Sequence, residues 1–406
     1  MDAQPSQRLP NRWPNRWHDL DAVRAFALIL GVAFHGAMSF MTPRIWIIDD
    51  PQHSAGLNIV FYVLHMFRMT TFFVLAGFFA RLLMQKRGAL GFARNRLMRV
   101  ALPMIIFWVP VFSAIVAALI IANPLPPGAT AAPTPPLTAA TFPLTHLWFL
   151  YVLLIFYAAA LALKGAGELT RLGGPLGRLL DGATRLLTRL DLVTGVLILP
   201  AAAALYLAPS WSMWFGVPTP DTGLMPNLPA LAAYGTAFAF GWQLHRAPEL
   251  IDRIARRWWV YGLSAILGTV LCLNMVGMTP VLTPTTGREH PLYLLCYLLT
   301  GWSWSFALIG AARTFLHAEN PVIRYLSDAS YWIYIVHLPL ILAMQILVRG
   351  LNWPAEAKYA LVILVTFGVS LLSYALLVRY SFIGAILNGR KRRARRVNGQ
   401  PQEDFA

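Results

Sequence analysis

The sequence predicts an all-α, polytopic transmembrane helix bundle of about ten spans with both termini cytoplasmic. Composition is the first observation: 57% of the 406 residues are hydrophobic and only 12% charged, against roughly 25% charged in a soluble domain. The second is length, because several stretches of about 18 to 25 residues carry almost no charge and can cross a ~30 Å hydrocarbon layer as helices. Third, the basic residues fall at alternate ends of these stretches, which is a topology signal.

In chain order the spans fall near 22–41, 58–80, 100–122, 145–163, 191–208, 227–244, 258–276, 291–312, 325–348 and 359–381. With the N-terminus inside, the N-tail through Arg24, the loops 81–99, 164–190, 244–257 and 312–324, and the C-tail hold 27 of the 33 Lys and Arg. The outer loops hold only Arg44, Arg288, Arg349 and Lys358, while Arg68 and Arg379 fall inside spans. Residues 1–19 read as a cytoplasmic tail with no removable signal peptide, 20–385 as one membrane domain and 386–406 as a basic cytoplasmic tail. The outer loop 123–143 is uncharged and proline-rich, which predicts a semi-rigid surface loop. The run from Arg390 to Arg396 sets orientation or meets anionic lipid head groups. Although the net charge is +16, its placement at span ends argues for membrane lipids and against nucleic acid as partner. Two cysteines, Cys272 and Cys296, both in apolar stretches, exclude a disulfide framework.

Ionisable residues inside spans are costly and mark candidate sites. Arg24 and His35 are eleven residues apart, within about 20° of one helix face and ~16 Å along the axis. Asp21 lies one turn before Arg24. His35 either faces a wet interior or hydrogen-bonds a neighbouring helix. His65 and Arg68 share a face of the second span at the depth of His35, where Arg needs water or an anionic partner; a substrate role competes with a structural ion pair. The loop after that span ends in FARNRLMRVALP, and Arg94, Arg96 and Arg99 would suit the phosphates of a donor such as coenzyme A, although basic inner loops are routine. THLWFL brings His146 and Trp148 to the start of the fourth span, as substrate contacts or interface anchors. In LSDASYWIYIVHLPL, Ser327, Ser330, Tyr334 and His337 recur on one face, whereas Asp328 points elsewhere. Gly-rich phosphate loops, HExxH, paired Cys motifs and the G-x-S-x-G elbow do not occur, so no metal site, nucleotide hydrolysis or serine-hydrolase chemistry is expected.

With these motifs in this order, LDAVRAFALILGVAFH, HMFRMTTFFVLAGFF, RNRLMRVALPM, THLWFLYVLL and LSDASYWIYIVHLPL, the chain resembles the membrane acyltransferase 3 family over nearly its whole length. Within that family it is most similar to the group that succinylates osmoregulated periplasmic glucans. The resemblance implies a catalytic His35 with Arg24 as its companion. It implies further that an acyl group, succinyl or acetyl, passes from cytoplasmic acyl-CoA, a co-substrate rather than a bound cofactor, to an extracytoplasmic carbohydrate at the bacterial inner membrane. Ala76 stands where the family often has Ser. His65, Arg68, His146, Trp148, Ser330, Tyr334 and His337 are then acyl or substrate contacts, and Arg94, Arg96 and Arg99 donor-phosphate contacts. Two alternatives stay open: an O-acetyltransferase of another surface polysaccharide or lipid-linked sugar, and a transporter whose path the same residues line.

Overall fold

A computed structural model describes residues 17–124, 136–388, 395–397 and 400–402. In hydrocarbon every backbone N–H and C=O needs an internal partner, so the apolar stretches become helices. They are α1 (His18–Ala37), α2 (Ala55–Arg96), α3 (Leu102–Ala122), α4 (Trp148–Leu169), α5 (Gly173–Arg189), α6 (Val193–Tyr206), α7 (Leu228–Arg246), α8 (Glu249–Arg256), α9 (Trp258–Val276), α10 (Pro291–Phe315), α11 (Pro321–Val348), α12 (Ala355–Ser373) and α13 (Phe382–Asn388). A short antiparallel pair, Arg395–Val397 with Gln400–Gln402, is the departure from an all-helical chain among the described residues.

A helix stands at each of the ten expected spans, but length and hydropathy support a smaller count. Among the described residues seven helical segments are long and apolar enough to cross a membrane, or eight if α5 and α6, bent by 111°, form one broken span. One of the seven is the run Ala55–Ala122, which holds both α2 and α3.

Two basic segments expected as loops are helical. The 81–99 segment continues α2 past a single break at Gly88, whose φ of 69° needs glycine for its backbone freedom, since a Cβ there would meet nothing. A π-helical turn, Leu97–Ala101, then leads into α3. The 164–190 segment completes α4 and forms α5, an amphipathic helix exposing Leu176, Leu179 and Leu186. Charge had marked these segments as lying at span ends, which says nothing about backbone conformation. Residues 125–135, the centre of the proline-rich loop, and Arg390 to Arg393 lie outside the described residues.

Glycines let α2 sit at the centre of the bundle. Without a hydrophobic force between helices in lipid, close backbone approach supplies the packing. A Cβ on Gly77 would lie 1.9 Å from the Phe238 carbonyl oxygen of α7, and one on Gly241 of α7 would lie 1.8 Å from the Val74 oxygen of α2. Gly301 of α10 similarly leaves 2.6 Å to the Met66 oxygen of α2. α1 packs between α2 and α11 and thereby brings its interior face against both.

Substituting Gly77→Ala forces α2 and α7 apart and should cost about 3 kcal/mol or more. Gly195→Ala is the control, because a methyl in α6 there meets nothing within 4 Å and removes glycine's entropy cost of about 0.5–1 kcal/mol. Thermal unfolding in detergent should show a large drop for the first and none for the second; equal behaviour would refute the packing account.

Candidate active site

Two cavities lie end to end inside the bundle. The larger, about 640 Å³, is walled by α1, α2, the start of α4 and α11, and bordered at one end by the 41–54 loop and residues 215–221, which form its mouth. The smaller, about 340 Å³, opens among Arg24, Arg96 and Arg99. Leu28, Phe72, Phe149 and Tyr334 line both, so these four side chains form the waist between them.

The larger chamber gathers His35, His65, Arg68, His146, Trp148, Tyr334 and His337. His35 lies with its ring centroid 5.3 Å from that of His337 and 5.9 Å from that of Trp46, and its Nδ1 is buried without a hydrogen-bond partner. His337 Nδ1 is 2.7 Å from the Tyr334 carbonyl oxygen. A carbonyl only accepts, so that nitrogen carries the proton and Nε2 holds the lone pair. By the same reasoning His146 is protonated on Nε2, which faces the Tyr334 and Ile335 carbonyls at 3.1 and 3.2 Å. The Tyr334 hydroxyl closes the loop by donating to the His146 carbonyl at 2.6 Å. Tyr334 therefore fixes two imidazole tautomers with one backbone oxygen and ties α4 to α11.

On α2, His65 stacks on Phe61 at 5.7 Å, and the Arg68 guanidinium lies 4.6 Å over the Phe34 ring. Arg68 Nε is buried and unpartnered, and among the described residues no carboxylate comes within ion-pair distance of it. Gly31 makes the space: a Cβ there would lie 3.4 Å from Arg68 Nη1. Since Gly31 precedes His35 by about one turn, the guanidinium sits roughly 6 Å nearer the basic end than the imidazole. Trp148 is a buried wall stacked on Tyr234.

In the smaller cavity Arg24 donates to Ser327 Oγ at 2.6 Å and pairs with Asp21 at 3.2 Å. Arg24 and His35 thus line successive cavities along one helix, rather than a single site. Arg96 donates to Asn95 at 2.7 Å and lies 5.3 Å from the centre of the Tyr157 ring, while Arg99 projects from the π turn. Arg94 is exposed and does not line the cavity. Ser330 does, though its hydroxyl is occupied by the Ser327 carbonyl at 2.6 Å. The polar face of α11 accordingly tracks the passage, with Ser330 in the small cavity, Tyr334 at the waist and His337 in the chamber.

The chamber's far end comes from residues the sequence did not single out. Gln345 Nε2 donates to the His35 and Gly36 carbonyls at 3.3 and 3.2 Å, and its Oε1 accepts the Trp46 indole N–H at 3.0 Å. The loop bearing Trp46 is anchored by Lys358 Nζ, 2.9 and 3.1 Å from the Asp50 carboxylate, with both side chains 0% exposed. Lys358 reads in the sequence as an outer-loop charge, but it belongs to α12. A lone lysine at the border of an apolar span was the one available signal.

Fold and cavities define a multi-pass helical membrane protein whose interior chamber, holding the imidazoles and Arg68, adjoins a basic vestibule across a narrow waist. Residues 17–377 match the family model described as an acyltransferase domain, and the chain belongs to the acyltransferase 3 family. It is similar to the proteins named glucans biosynthesis protein C from Escherichia coli strains SMS-3-5, K12 and O1:K1, at 30% identity over 90 residues. That stretch is 22% of this chain and 23% of each relative, so less than a quarter of their length is matched. No solved structure matches the chain.

Removing one partner of a buried ion pair strands the other, at a cost of about 3–5 kcal/mol. Lys358→Met should therefore destabilise the protein strongly, and adding Asp50→Leu should recover much of the loss. Differential scanning fluorimetry in detergent checks this; a double variant no more stable than the single would refute the pairing as an anchor.

Proposed function

We propose that the protein transfers an acyl group, succinyl by preference, from cytoplasmic acyl-CoA to a hydroxyl of a periplasmic glucan or related carbohydrate at the bacterial inner membrane. The observation that carries this reading is the line of two cavities, a basic one followed by one holding His35. The Lys and Arg asymmetry supports a cytoplasmic face for the basic end. Family membership supports acyl transfer, and the name of the relatives, glucans biosynthesis protein C, supports a glucan acceptor.

In this mechanism Arg24, Arg96 and Arg99 hold the donor phosphates through charge-assisted hydrogen bonds. The narrow thioester arm passes the waist as Leu28, Phe72, Phe149 and Tyr334 turn aside, and its carbonyl reaches the neighbourhood of His35. His35 takes the proton of an acceptor hydroxyl entering from the opposite end while that oxygen attacks the carbonyl carbon. The carbon–sulfur bond then breaks, and the thiolate recovers the proton from His35. Arg68, a cation without a carboxylate partner among the described residues, pairs the distal carboxylate of a succinyl group or steadies the developing oxyanion. Transfer through an acyl-histidine would use the same residues in two steps.

Two end-to-end cavities would also suit a transport path, so the decisive experiment monitors chemistry and transport together. Purified protein in vesicles is given succinyl-CoA or acetyl-CoA and periplasmic glucan, followed by mass analysis. Ester formation is expected, and glucan movement without thioester consumption would sink the enzymatic reading. His35→Ala should lower transfer by about 10²–10⁴-fold, the range for a lost general base, with folding retained. Arg68→Lys keeps the charge but loses the planar fork, so succinyl transfer should fall about tenfold further than acetyl transfer. Equal losses would remove Arg68 from carboxylate recognition.

A further inference from the structure

The end of the chamber opposite the arginines has a chemistry of its own. Trp46 comes from the loop between α1 and α2, and the half-buried indole borders the chamber with its centroid 5.9 Å from the His35 ring and the two planes 30° apart. Its polar edge is already used, because the indole N–H donates to Gln345 at 3.0 Å. What the ring offers to the chamber is therefore an apolar π face held in one place. The loop has little freedom to withdraw it: Asp50 N bonds the Ser39 carbonyl at 3.0 Å, Ser54 N bonds Phe40 O at 2.9 Å, and the Lys358–Asp50 pair is sealed beneath.

Across the mouth stands Asp221, in the segment before α7. Its backbone is braced, with Leu144 N donating to the Asp221 carbonyl at 2.9 Å and Gly223 N to Phe142 O at 2.9 Å. Burial holds its carboxyl above the usual carboxylate range; the group receives the Thr222 hydroxyl at 3.4 Å and its own backbone N–H, and keeps further lone pairs on the chamber border. Arg44 also borders the mouth, where its Nε donates to the Trp46 carbonyl at 3.3 Å and its Nη2 to the Ile47 carbonyl at 3.1 Å and Asn123 Oδ1 at 2.7 Å, so it holds the loop together. A fixed aromatic face and a carboxylate acceptor bordering the same end of the chamber suit a ligand having a flat C–H face rimmed by hydroxyl donors. The Asp221 carboxylate disfavours an anion beside it.

We propose that Trp46 and Asp221 form the acceptor subsite, in which one uncharged pyranose ring stacks on the indole and donates hydroxyl hydrogen bonds to the carboxylate. This rests on the carbohydrate acyltransferase reading and assigns the acceptor its residues. A ring held on Trp46 brings its free hydroxyls beside His35, the neighbouring ring, so the platform also selects which hydroxyl reacts. Trp46 binds and orients; it takes no part in bond making.

The test uses the full-length protein in lipid nanodiscs and a neutral β-linked gluco-oligosaccharide, with binding measured by calorimetry in the absence of donor. Trp46→Ala should weaken binding about tenfold, the size of a lost stacking contact, while Trp46→Phe keeps most of it. Asp221→Asn should also weaken binding, and an oligouronate of equal length should bind less well than the neutral sugar. In turnover assays Trp46→Ala should raise the acceptor KM and leave the donor KM unchanged. The subsite is overturned if the wild type binds no oligosaccharide, if Trp46→Ala binds as the wild type does, or if the uronate binds more tightly. Should Trp46→Ala fail to fold, Asp221→Asn on its exposed loop decides in the same way, a loss of affinity supporting the subsite and unchanged affinity overturning it. Sugar binding without acyl transfer by the wild type would refute the enzymatic reading and spare the subsite, so the two failures are distinct.

Discussion

A guanidinium inside a helix bundle must be matched by an anion or by water, because an unsolvated cation in an apolar medium costs many kcal/mol. Among the described residues Arg68 has no carboxylate to meet it, only the face of Phe34 and the open chamber. That one deficit requires the chamber to be wet, and the rest of the architecture follows from keeping a wet space inside an apolar bundle. Lys358 makes the contrast plain. Its charge is fully buried too, at the end of a span, yet Asp50 neutralises it and the pair is dry. One cation is closed off to hold a loop; the other faces the chamber.

Around the wet space the helices are fixed by two devices. Glycine contacts at Gly77, Gly241 and Gly301 clamp α2 between α7 and α10, so the helix carrying His65 and Arg68 has no room to rotate. Tyr334 does the equivalent for the imidazoles, since its carbonyl accepts from both His146 and His337 and its hydroxyl returns a bond to the His146 backbone. Gln345 completes the frame by joining the His35 turn to the Trp46 ring. The chamber's chemistry is thus set mainly by backbone carbonyls, which fix what each ring can donate and what it has left to accept.

The membrane-embedded half of the site was legible in the sequence because ionisable residues are rare in apolar spans and stand out there. His35, His65, Arg68 and His337 announce themselves in this way, and helical periodicity alone puts Ser330, Tyr334 and His337 on one face. The other half was not legible. Trp46 and Asp221 come from loops, where no period relates position to direction, and Asp50 finds Lys358 across 308 residues of sequence. Arg94 illustrates a subtler limit: it shares a basic cluster with Arg96 and Arg99, but helix geometry turns it outward while its neighbours face the cavity. Charge clustering puts all three at one end of the bundle, and only the backbone path distinguishes which of them line the cavity.

The waist formed by Leu28, Phe72, Phe149 and Tyr334 bears on the cell's energy supply. A continuous file of water between the two compartments would let protons and ions run down their electrochemical gradient each time the protein stood idle. Three purely hydrocarbon side chains and a phenol whose hydroxyl is already bonded to His146 interrupt that file, as apolar constrictions in channels stop conduction by excluding water. The narrowing that the proposed donor would have to part is also what keeps the bilayer insulating at rest.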